Sequence, residues 1–156
     1  MMAAAAISPT RPDSWDFPLL LHVLGAMLLV STLILAAAAL LFAWRAGSAA
    51  LVRLGFRALL FGVLPSWILM RAAAEWIASR EGLMDSNLSW ISIGFTTADT
   101  GIVVILIATV LAGLAARRSG RAEGSGAGFG RGSAVLVSLL LITYLVTVWA
   151  MATKPV

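Results

Sequence analysis

The chain has 156 residues, 61% of them hydrophobic and 12% charged, whereas about a quarter of a soluble domain is charged. This excludes a soluble globular fold, and the lack of any cysteine excludes disulfides, thiolate metal sites and cysteine lipidation. The net charge of +4 does not point to nucleic acid as a partner, because the arginines gather at the ends of apolar runs.

Residues 1–16 read as a short outer tail that ends in the slightly acidic "RPDSWDF". Four apolar runs follow: Phe17–Trp44, Leu54–Ala78, Ile91–Ala116 and Ala134–Ala152. Each meets the roughly 20 residues that a helix rising about 1.5 Å per residue needs to cross the hydrocarbon. The first run lacks the basic flank of a signal peptide and is far longer than its apolar region of about 7–15 residues, so it is a retained span. No run alternates as a barrel strand must. The expected fold is all-α, an integral membrane four-helix bundle of up-down topology. It forms a single domain over 17–152, with an outer C-terminal tail at 153–156.

The connections carry the topology. Arg45, Arg53 and Arg57 follow the first span, and "RRSGRAEGSGAGFGRGS" (117–133) reads as a flexible cytoplasmic loop holding Arg117, Arg118, Arg121 and Arg131. Both groups fall on one side of an up-down array, and basic residues mark the cytoplasmic side, so both termini are expected outside. The loop "SREGLMDSNLS" is short, which makes the second and third spans antiparallel neighbours. Trp15, Trp76, Trp90 and Trp149 fall near outer span ends and Trp44 near an inner one, where amphipathic rings meet headgroups, while Trp67 sits deep.

The opening of the first span, "LLLHVLGAMLLVSTLILAAAAL", resembles small bacterial integral membrane proteins of the uncharacterised DUF2269 type, and more loosely the membrane domain of CopD-type copper-resistance proteins. The first resemblance implies a four-helix protein of the bacterial cytoplasmic membrane with no assigned reaction. The second implies copper handling, from which this chain departs in having one histidine and no cysteine. The preponderance of arginine over lysine suggests a GC-rich bacterial genome.

Polar residues at membrane depth are the functional signal. The second span carries Arg71 and Glu75 one turn apart, on the face that holds Trp67. A charge at mid-membrane costs about 2.5–3.5 kcal/mol on insertion scales, so such residues face the bundle, pair or snorkel. Pro65 removes one helical donor before them and is expected to kink the span and free a carbonyl. Asp99 in the third span, His22 in the first and Tyr144 in the fourth fall at a matching level, about 8–13 Å below the outer surface. Depth makes Asp99 the better partner for Arg71 and leaves Glu75 nearer water.

Three readings of His22, Arg71, Glu75, Asp99 and Tyr144 stand side by side. One is a packing cluster in a structural protein or accessory subunit. Another is an outward-facing proton, ion or small-ligand site, since a histidine near its free pKa of about 6.5 exchanges protons at physiological pH. The third is haem or copper bound through His22, with Met27, Met70 or Met151, or a second copy's histidine, completing the ligand set. The sequence shows no G-x-S-x-G, P-loop or H-E-x-x-H, and the chain is not expected to be an enzyme. The expected partners are the lipid bilayer and either a homo-oligomer or a larger membrane complex.

Overall fold

The computed structural model describes residues 16–81, 89–119 and 126–153. They form α1 (Asp16–Ala46), α2 (Ala49–Ala58), a π-helical turn (Leu59–Val63), α3 (Leu64–Glu81), α4 (Ser89–Arg118) and α5 (Ala127–Thr153), with no strand among them. The second span is the composite of α2, the π turn and α3, so the protein crosses as four helices, each long and apolar enough to span a membrane. It is an all-α four-helix bundle and a multi-pass membrane protein.

Each span lies between its neighbours in the chain, and α5 closes against α1, leaving α1 diagonal to α4. The buried line of α4 runs Ile91, Gly94, Ala98, Gly101, Ile105, Ala108, Ala112 and Ala115, in steps of three and four residues. That period near 3.5 is the seam of a left-handed helix pair. The small residues of α4 face the bulkier Val137, Leu140 and Tyr144 of α5, so the two helices approach closely where lipid supplies no hydrophobic drive. Outside, the bundle is apolar: Phe61 is 73% exposed and Trp149 65%.

Local chemistry explains where the helices differ from the sequence expectation. The second span begins at Ala49 rather than Leu54, because Gly47 at φ 63° ends α1 and Ser48 caps α2 by accepting from the Leu51 amide. α5 begins at Ala127, seven residues before the expected span, so the loop at 117–133 is shorter than its glycines suggest. Those glycines cost helix propensity, yet they fit the chain against α4, where Gly130 faces Ala115 and Gly132 faces Leu111. The Ser133 hydroxyl then donates to the Ala108 carbonyl at 2.8 Å. Of the loop expected to be flexible over 117–133, residues 120–125 lie outside the described residues, as does Trp15.

Just before Pro65, where a kink and a freed carbonyl are expected, the helix takes a π turn. Proline has no N–H and its ring crowds the carbonyl four residues back; a wider turn relieves both, and the Leu64 amide reaches back five residues to the Leu59 carbonyl. Gly62 lets this turn press on Thr32 of α1, where an added Cβ would lie 2.7 Å from the threonine methyl.

Candidate functional site

One end of the bundle carries the start of α1, the end of α3, the start of α4 and the end of α5. The polar residues gather in that half. His22 on α1 approaches α3 so that Nδ1 lies 3.1 Å from the Met70 carbonyl. A carbonyl only accepts, so Nδ1 carries a proton and donates it. The contact depends on Gly25, one turn further along α1, where a Cβ would stand 2.7 Å from the Met70 amide nitrogen.

α3 is fastened to α4 by two bonds. The Trp67 indole N–H donates to the Ala98 carbonyl at 3.2 Å, and Arg71 Nη2 meets Asp99 Oδ1 at 2.9 Å. The same nitrogen lies 3.2 Å from Glu75 Oε1, and the guanidinium sits 4.5 Å above the centre of the Phe95 ring. Arg71 therefore holds both carboxylates, Asp99 more closely. Its side chain is 17% exposed, whereas Glu75 is 54% and Asp99 62% exposed. The two carboxylates lie on the outside of the bundle, not within it.

α4 is tied to α5 through Thr147, whose Oγ1 lies 3.1 Å from Thr97 Oγ1 and 2.9 Å from the Thr143 carbonyl. With its one proton donated to that carbonyl, Thr147 accepts from Thr97. Tyr144, a turn away, is 3% exposed and presses its hydroxyl against Gly101, where no Cβ would fit. Among the described residues that hydroxyl meets no hydrogen-bond partner at good geometry.

Of the five candidates, the structure brings His22, Arg71 and Tyr144 to one small cavity, about 70 Å³, and leaves Glu75 and Asp99 off its wall. Thr147, Met70 and Met151 complete its notable lining, and the rest is apolar. Such a space is roomy enough to admit water. Met27 faces away at 64% exposure, so only Met70 and Met151 of the methionines considered share the cavity with His22. Among the described residues no three His, Cys, Asp or Glu side chains group as metal ligands.

Several participants escape sequence reasoning. The partner of His22 is a backbone carbonyl, which no side-chain pattern announces. Phe95 does carry a signal, standing one turn before Asp99, and the glycines at 25 and 101 mark close approaches that become legible only once the facing helix is known. No family model, curated protein or solved structure matches the chain, so its function rests on the chemistry of the site alone.

Proposed function

We propose that this is a structural protein or accessory subunit of the bacterial cytoplasmic membrane, with both termini outside and the polar cluster in the outer half of the bundle. One observation carries the reading. At a single level, polar contacts join α1 to α3 (His22–Met70), α3 to α4 (Trp67–Ala98, Arg71–Asp99) and α4 to α5 (Thr97–Thr147). Each such contact contributes about 0.6–2 kcal/mol in a membrane, and together they fix the register of the helices. In these contacts the groups are spent on one another, as a packing device requires. The arginine-rich end faces the cytoplasm by the excess of basic residues there.

A second reading, an outward-facing site for a proton, ion or small ligand, draws support from the cavity and from the unpaired Tyr144 hydroxyl. Asp99→Asn in reconstituted vesicles separates the two. Under the structural reading the variant unfolds at lower temperature and leaves proton and solute permeability unchanged. Retained stability with a lost pH-dependent flux would favour the site.

A further inference from the structure

The outer halves of α3 and α4 present a polar face to what would otherwise be lipid. α4 reaches about 45 Å, half again the hydrocarbon thickness of about 30 Å, and Asp99 lies about 15 Å from its start. With equal overhang at both ends, the Asp99 carboxylate sits about 7 Å inside the hydrocarbon. It points out of the bundle, as does Glu75, and one guanidinium serves both. Neither carboxylate is paired with another cation among the described residues. The face therefore carries one acidic group more than its single guanidinium can pair.

The hydroxyls beside it are also unspent. Ser31, Thr32, Thr109, Ser138, Thr143 and Thr153 each return the hydroxyl to the carbonyl four residues back. Thr96 and Thr100, exposed on either side of Asp99, make no hydrogen bond among the described residues. Toward the arginine end the exposed face of α4 turns to Val103, Leu106, Ile107 and Val110, which suit lipid.

We propose that this face docks a transmembrane helix of a partner protein that carries one lysine or arginine at the level of Asp99. The proposal rests on the accessory-subunit reading and names the partner it needs. The extra cation completes a two-carboxylate, two-cation set, and the Thr96 and Thr100 hydroxyls cross to the arriving helix. A second copy of this chain fits less well, because a symmetric contact would double the uncompensated charge and place four carboxylates against two guanidinia.

The test uses the full chain, labelled with a fluorescence donor, in phosphatidylglycerol vesicles. The probes are synthetic leucine-alanine transmembrane helices labelled with an acceptor, bearing one lysine about five residues from one end, and a twin with leucine there. The lysine helix is expected to associate at least tenfold more tightly than its twin. Glu75→Gln, which leaves the Arg71–Asp99 pair in place and so keeps the bundle fastened, is expected to reduce that preference to less than twofold, with helicity and unfolding temperature unchanged. Three results overturn the proposal: equal binding of the two helices, transfer between donor- and acceptor-labelled copies of the chain that displaces the lysine helix, or loss of the preference when phosphatidylethanolamine is added. The second assigns the face to self-association and the third to an ammonium headgroup. Failure here with Asp99→Asn still destabilising leaves the structural reading standing.

Discussion

Arg71 and Asp99 stand at equal depth, ten residues from the end of α3 at Glu81 and from the start of α4 at Ser89, and meet at 2.9 Å. Because Arg71 also holds Glu75, the two ends of this contact are not equivalent. Asp99→Asn leaves Arg71 one carboxylate and is expected to lower stability by about 0.6–2 kcal/mol. Arg71→Leu strands both carboxylates near the hydrocarbon and is expected to cost more, about 2–4 kcal/mol. Equilibrium unfolding in mixed micelles gives the order of the two variants, and equal losses would contradict the shared pairing.

Gly25 sets the distance between α1 and α3. Gly25→Ala puts a methyl 2.7 Å from the Met70 amide nitrogen and 2.9 Å from its Cα, and backbone atoms cannot swing aside. The variant is expected to push the helices apart, at about 1–3 kcal/mol, and to break the His22–Met70 hydrogen bond. Loss of the hydrogen-bonded Nδ1–H resonance of His22, the chain's single histidine, reports the separation directly.

Tyr144 makes the opposite kind of forecast. Its hydroxyl is buried without a well-placed partner among the described residues, so Tyr144→Phe is expected to leave stability unchanged or raise it by about 1–2 kcal/mol. Gly101→Ala crowds that same hydroxyl and is expected to destabilise, with part of the loss recovered in the Gly101→Ala, Tyr144→Phe pair. Simple additivity in thermal unfolding would show that the two do not touch.

The orientation is tested on a chain that has no cysteine of its own. A cysteine at Ser48, in the turn between α1 and α2, is expected to be shielded from a membrane-impermeant maleimide in intact cells. A cysteine at Ser86 is expected to react. The reverse pattern would place the polar cluster in the inner half of the membrane.

The number and order of the spans were legible because a membrane span announces itself by uninterrupted apolar length. Asp99 as the closer partner of Arg71 was legible too, since helix rise converts position into depth, but the sharing of that guanidinium with Glu75 was not. Direction around the helix axis was harder to read. Glu75 and Asp99 share the cluster's level with His22 and Tyr144 but lie on the outer surface, and equal depth alone does not distinguish the two sides. The early start of α5 was hidden because glycine count measures intrinsic propensity, while residues 127–133 are held by contact with α4.

The π turn before Pro65 bears on that direction. It houses one residue more than an α-helical turn would, and successive residues of an α-helix are about 100° apart around the axis. The two halves of the second span are thus set out of phase by about that angle relative to an unbroken helix. α2 and α3 can each turn their small and polar residues to the same neighbours only because the extra residue resets the count between them. Arg71 reaches Asp99 not by its place in the sequence alone but by a rotational offset written about ten residues earlier.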